Sequence, residues 1–307
     1  MKQRQNDDGP PDPIESPYIY GLYKHLVNVL GWDVKVVIPS SQKSWIGFLN
    51  VFLADGQGET SSESRPLRDD EVGEWILLNG TPASCTNIAL HNLYPGQIDL
   101  VISGPNLGRN TSSAFALSSG TVGAAMSGAL SHTRAIALSY GTVVHPVQKE
   151  YYNPAHVVSL KIIKHLVENW GVDEGGLRVS GEVDLYNINV PMVPGLLSNE
   201  GLKVYWTSIW RNSYGRLFKP VVRDVNPAGP DAPVPSTSPT LAFKWAPAIE
   251  GLVNPAKASL PTYTDAWALN RGQISVTALR ASFAEADMAF DTTAEDGGRL
   301  WEVNLKL

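Results

Sequence analysis

Four short stretches of this chain concentrate side chains that hold hard cations and phosphoryl oxygens. Asn6-Asp7-Asp8-Gly9 sets two adjacent carboxylates before a glycine, a pattern that suits a solvated turn and equally suits gripping an oxygen-seeking cation. Ser40 to Gly47 (SSQKSWIG) offers Ser44 as an oxygen donor and Lys43 as a phosphate partner. Ser103 to Asn110 (SGPNLGRN) supplies small and amide-bearing residues, Asn106 and Asn110 among them, where backbone can approach a ligand closely. Ser118-Ser119-Gly120-Thr121 stands directly before the small-residue run Val122 to Met126. Hydroxyls and a glycine at a helix start form either an ordinary cap or an anion site, because the first N–H groups and the helix dipole point outward there. Two carboxylates, an amide and a hydroxyl together make a hard oxygen set suited to one Mg²⁺ or Mn²⁺ ion.

The elements around these stretches must bring them together. Ile98 to Ile102 is a short apolar run that predicts a strand buried on both faces. Ser16 and Pro17 open a helix whose stripe is Ile19, Leu22, Leu26, Val29 and Leu30, and Val34 to Pro39 follows as a strand. Trp75 to Asn79 predicts another strand, turning through Gly80–Cys85 into a helix with Ile88, Leu90 and Leu93. Ala135–Ser139 and Leu185–Pro191 are further strands, separated by a helix over 154–170 with Val157, Leu160, Ile163 and Leu166 on one face. Strand–helix alternation from Val34 to Val190 predicts an α/β, doubly wound, mostly parallel sheet, with the four stretches on loops at carboxyl ends of strands. One strand is missing from this expectation. Met1 to Gln5 are almost wholly polar, so nothing apolar precedes Asp7 and Asp8 to anchor them.

Beyond Pro191 the pattern changes. Val204–Trp206 and the run Trp210 to Phe218 suggest hairpin strands, and 224–261 is rich in proline, alanine and serine, as an irregular arm would be. A short helix over 264–269 and a strand over 274–279 close the chain. This part is too strand-poor for a separate domain. The expectation is one domain over 1–307, with an α/β core over 1–195 and a hairpin, arm and closing helix and strand over 196–307.

Composition narrows the function. A net charge of −6 argues against nucleic acid as the main ligand, and a single cysteine, Cys85, excludes an internal disulfide. Cys85 reads as a small buried hydrophobe and His165 as a surface residue. No P-loop, dinucleotide loop, H-E-x-x-H or G-x-S-x-G is present. No run approaches the roughly 18 apolar residues of a membrane span, and the N-terminus lacks a signal-peptide core, so the expectation is a cytoplasmic protein without a membrane partner.

Taken in order, NDDG (6–9), PSSQKSWIG (39–47), NGTPASC (79–85), SGPNLGRN (103–110), SSGTVGAA (118–125), YNINVP (186–191) and TDAWALNRGQISVTAL (264–279) resemble the survival protein SurE family of metal-dependent nucleotidases and phosphatases. NDDGP and SWIG are more similar to its fungal members. The resemblance implies a Rossmann-like fold and one divalent ion held by Asp7, Asp8, Ser44 and Asn106. It implies a phosphoryl group held by Asn110, Ser119, Gly120 and Thr121, with hydrolysis of nucleoside 5′- or 3′-monophosphates and related monoesters. Asp8 would orient or deprotonate the attacking water, with Asp7 mainly a ligand. The C-terminal hairpin and arm would build a homodimer or homotetramer. The chain departs from the family at its polar start, at Pro105 in place of an aliphatic residue, and at Ser127 where an acidic residue is common. If the first strand were absent, the fold could persist as a binding or scaffold protein without turnover.

Overall fold

The computed structural model describes residues 2–5, 16–40, 50–55, 60–61, 74–142, 146–213, 215–220, 243–246, 251, 255 and 260–284. A ten-stranded sheet runs through it. In chain order its strands are β1 (Lys2–Gln5), β2 (Val34–Pro39), β3 (Asn50–Asp55), β4 (Thr60–Ser61), β5 (Glu74–Asn79), β6 (Leu100–Leu107), β7 (Arg134–Gly141), β8 (Leu185–Pro191), β9 (Val204–Trp206) and, after a two-stranded antiparallel pair β10 (Phe218–Pro220) and β11 (Phe243–Trp245), β12 (Ile274–Leu279). Their spatial order is β4-β3-β5-β2-β1-β6-β7-β8-β12-β9. From β5 to β8 every neighbour is parallel, while β3 joins β5 and β12 joins β8 antiparallel.

The polar start does form the first strand. β1 pairs Lys2 to Arg4 with Val34 to Val36 on one side and Lys2 to Gln5 with Leu100 to Ser103 on the other. A central parallel strand is held by backbone ladders on both edges, and these override side-chain propensity over four residues. The expectation of a missing first strand is therefore wrong, and with it the ground for a scaffold without turnover.

Helices cover both faces, as right-handed crossovers require. On one face α1 (Pro17–Asn28) and α5 (Tyr152–Glu168) bury Ile19, Leu22, Leu26, Leu160, Ile163 and Leu166 against β2, β6, β7 and β8. Burying each such aliphatic side chain contributes about 1.5–3 kcal/mol. Two stripe assignments fail: Val29 is 65% exposed beyond the end of α1, and Val157 is 38% exposed. The inward face of α5 instead carries Ala155, His156, Ser159 and Ile162.

The other face carries α2 (Pro82–Ile88) and α4 (Gly120–Leu130), with the one-turn α3 (Ser112–Ala116) leading into α4. Small residues let α4 lie close on β6 and β7. A Cβ at Gly128 would stand 3.0 Å from Val101 Cγ2 and 3.4 Å from the Ala135 methyl. Thr86 donates to Ala124 O at 3.1 Å and Ser127 to Ala83 O at 3.2 Å, stitching α2 to α4 through backbone carbonyls. Ser127 has this job where an acidic side chain was the family expectation. A last short helix, α6 (Asp265–Asn270), packs beside β12.

Candidate active site

The carboxyl ends of β1, β2 and β6 are neighbours, because β1 lies between the other two and all three run parallel. Open α/β sheets bind ligands at this edge. The chain therefore leaves three adjacent strands at Gln5, Pro39 and Leu107 in the same place. Asp7, Asp8 and Ser44, read from the sequence as metal ligands, follow the first two of these exits and lie outside the described residues. Of that set, Asn106 is described.

Asn106 sits at the end of β6, which runs longer than the apolar pattern suggests. The sequence reads residues 103–110 as a turn, yet the strand continues to Leu107 with a register shift between Ser103 and Asn106 against β7. Gly104 makes the shift possible. Its φ is +117° and a Cβ there would lie 2.1 Å from Leu138 O, so a side chain is excluded by both torsion and space. The Gly104–Pro105 peptide is cis. Past the shift Asn106 stands in register with Ser139 of β7.

Ser139 also receives Asn110. The Asn110 Nδ2 donates to Ser139 Oγ at 2.7 Å, its backbone N–H donates to Asn189 Oδ1 at 2.8 Å, and its carbonyl accepts from Asn187 Nδ2 at 2.8 Å. All four residues are at most 5% exposed. In a low-dielectric interior such a cage fixes one loop conformation, since breaking any bond strands a buried polar group at about 1–3 kcal/mol. One N–H of the Asn110 amide is thus committed to the fold, and its second is what a ligand could use. Sequence pattern alone singles out neither Asn187 nor Asn189; their one signal is a pair of amides spaced by two on one face of the apolar strand β8. Next to Asn110, burial pulls the Arg109 guanidinium down to about 10, which leaves it cationic at neutral pH.

α4 enters from the same edge. As the crossover helix between parallel β6 and β7, its N-terminus faces the strands' carboxyl ends. Ser119 is its cap, with extended backbone and an Oγ that accepts from Val122 N–H at 3.1 Å. A hydroxyl that accepts one bond still has its own proton to donate. Gly120 occupies the first helical position, where the N–H lies outside the intrahelical ladder. Thr121 follows at the second helical position and is fully buried.

A second clamp comes from far along the chain. Asp265, 0% exposed, accepts backbone N–H bonds from Ser112 at 2.7 Å, Trp210 at 3.0 Å and Ala266 at 2.7 Å. Ser113 N–H donates to Trp210 O at 2.9 Å and Ala114 N–H to Asn212 Oδ1 at 2.9 Å. These bonds hold Ser112 in the left-handed region, φ 72°, just after Asn110. Burial outweighs the three bonds and pushes the Asp265 carboxyl up to about 6. The sequence motif TDAWALN contained this residue without revealing its two distant partners, Trp210 and Ser112, which lie 55 and 153 residues away. Cys85 is buried and its thiol is pushed up to about 12, in keeping with its reading as a hydrophobe.

Among the described residues no group of three His, Cys, Asp or Glu side chains could hold a metal, and no helix is long and apolar enough to cross a membrane. A hard-cation site here would draw on the carboxylates after β1 and the hydroxyl after β2 together with Asn106, and those oxygen donors suit Mg²⁺ or Mn²⁺.

Comparison with known proteins agrees with this fold. The chain is 34% identical over 316 residues to the probable tubulin–tyrosine ligase PBY1 of Saccharomyces cerevisiae, covering 91% of this chain but only 40% of that protein. It is 30% identical over 290 residues to the 5′-nucleotidase SurE of Acinetobacter baylyi, covering 93% of this chain and 95% of the relative. The crystal structure of the SurE protein from Aquifex aeolicus superposes with a TM-score of 0.59 at 23% identity, over 92% of this chain and 94% of that one, which speaks for the fold. The survival protein SurE family model matches residues 4–216, and the chain belongs to that family.

Proposed function

We propose that this protein is a metal-dependent phosphomonoesterase acting on nucleoside 5′- or 3′-monophosphates, with water as the attacking nucleophile. One observation carries the reading. Three adjacent parallel strands and the capped end of α4 open on one edge, next to the caged Asn110. The 5′-nucleotidase names of bacterial relatives support the substrate class. Asp7, Asp8, Ser44 and Asn106 would hold the cation, which when bound neutralises phosphoryl charge and polarises the ester. Ser119 donates its hydroxyl proton and Gly120 and Thr121 their N–H groups to phosphoryl oxygens, where charge grows in the transition state. The Asn110 amide offers its remaining N–H on the opposite side. Asp8 orients the attacking water and takes its proton, and Asp7 serves the cation. β9 joins the main sheet beside β12 and not a hairpin with 210–218, so it is the antiparallel pair β10–β11 and the arm between its strands that serve assembly into a dimer or tetramer, and the working compartment is the cytoplasm.

The test is hydrolysis of p-nitrophenyl phosphate and of adenosine 5′-monophosphate (AMP) with Mn²⁺ or Mg²⁺, with chelator, and with Asp8→Asn. Activity that depends on the cation and falls by about 10²-fold or more in the variant is expected. Activity undiminished by chelator or by the substitution refutes the proposal.

A further inference from the structure

A groove far from the phosphoryl site has the chemistry of a ligand site. It lies at the outer edge of the sheet, between the starts of β9 and β12 and the end of α6, and measures about 550 Å³. Ligand sites for small molecules span roughly 300–1,000 Å³. Four strand spacings separate β6 from β9, which at about 4.8 Å each is roughly 19 Å.

Its walls are aromatic and its rim is cationic. Tyr205 and Trp267 meet edge to face with centroids 5.3 Å apart, and Leu260 completes the apolar part. The Arg271 guanidinium lies 4.7 Å over the Trp267 ring, and Lys203 also lines the groove. Both cations are exposed, and among the described residues neither is ion-paired with a carboxylate. Among the described residues no acidic side chain lines the groove, in a protein of net charge −6.

The amides add direction. Asn270 lines the groove, and among the described residues its buried Nδ2 has no hydrogen-bond partner, a state that costs about 1–3 kcal/mol and that a ligand acceptor reached by a small rotation of the amide would relieve. Gln273 Oε1 accepts from Lys203 N–H at 2.7 Å, which leaves its Nε2 to donate. The groove thus offers four donor groups, two of them charged, beside flat apolar surface. An anion with a planar, acceptor-bearing ring satisfies all of them.

We propose that this groove is a second binding site, for a nucleotide, with the base against Tyr205 and Trp267 and the phosphate between Lys203 and Arg271. The site does not depend on the hydrolase reading. It is tested by isothermal titration with AMP, in chelator, of the full chain carrying Asn106→Ala and Ser119→Ala, which disables the proposed phosphoryl site. Saturable binding is expected. Adding Lys203→Glu with Arg271→Glu, both at exposed positions, should weaken it at least about tenfold. Asn270→Asp, which turns a donor into a charge of the wrong sign, should do the same. Adenosine and inorganic phosphate should each bind at least about tenfold more weakly than AMP. Absence of AMP binding, or binding that the charge reversals leave within about twofold, overturns the proposal. So does phosphate or adenosine binding as tightly as AMP. Loss of hydrolysis with retained groove binding, or the reverse, separates this site's fate from that of the active site.

Discussion

The ionisation of Asp265 sets a specific pH dependence on stability. Its carboxylate has no solvent exposure and three backbone donors, and burial still wins, moving it from 3.8 to about 6. An acid whose pKa rises on folding binds its proton more tightly in the native state. Its contribution is most favourable when it is protonated and is lost as pH rises through the window from 3.8 to about 6. At about 1.36 kcal/mol per pKa unit that loss is about 3 kcal/mol. Asp265→Asn removes the titration but keeps the size. Its amide nitrogen must face one of the three N–H donors, which imposes a penalty independent of pH. The measurement is urea unfolding of both chains at intervals from about pH 4 to about pH 7.5. The stability of the parent minus that of the variant should fall by about 2.5 kcal/mol across this range, the rest of the loss lying below about pH 4. A difference that stays flat, or that rises with pH, refutes the reasoning, the second outcome meaning that the hydrogen bonds outweigh desolvation.

Other expectations follow from single sites. Gly104→Ala combines a forbidden torsion with a methyl 2.1 Å from Leu138 O, and should cost about 3 kcal/mol or more, read as a lowered urea midpoint. Ser119→Ala removes the α4 cap and should cost about 1 kcal/mol of stability while lowering kcat/KM for AMP beyond what that loss explains. Cys85, buried and held as the thiol, should resist a thiol reagent in the native protein at neutral pH and react fully in urea.

How much of this was legible depended on the range of the interactions. Apolar periodicity located β2, β5, β7, β8, α1 and α5, since burial on a sheet writes itself into local pattern. Lys2 to Gln5 carry no such pattern, and the four-residue central strand is placed by its backbone ladders on both edges. Ser119 was legible as a cap from its neighbours alone. Asn106 and Asn110 were legible as amides in a loop, but the cage around Asn110 was not, since Ser139 and Asn189 come from strands 29 and 79 residues on. The Asp265 clamp reaches Ser112 across 153 residues, and no local spacing encodes that. Val157 and Val29 misled because an apolar stripe marks a helix face and not where that face ends.

The position of β12 has a consequence for synthesis of the chain. Among the described residues β9 pairs within the main sheet only through β12, which also covers the edge of β8, and β12 is made some seventy residues after β9. A ribosome that has delivered the whole parallel core still holds a protein whose β8 edge is open and whose loop at Ser112 lacks its clamp. Until residues 265–279 emerge, that edge can pair with any other extended segment. Pausing or truncation in the stretch between β9 and α6 should therefore trap an aggregation-prone intermediate, and the loop from Asn110 to Ser112 should be among the last parts of the molecule to settle.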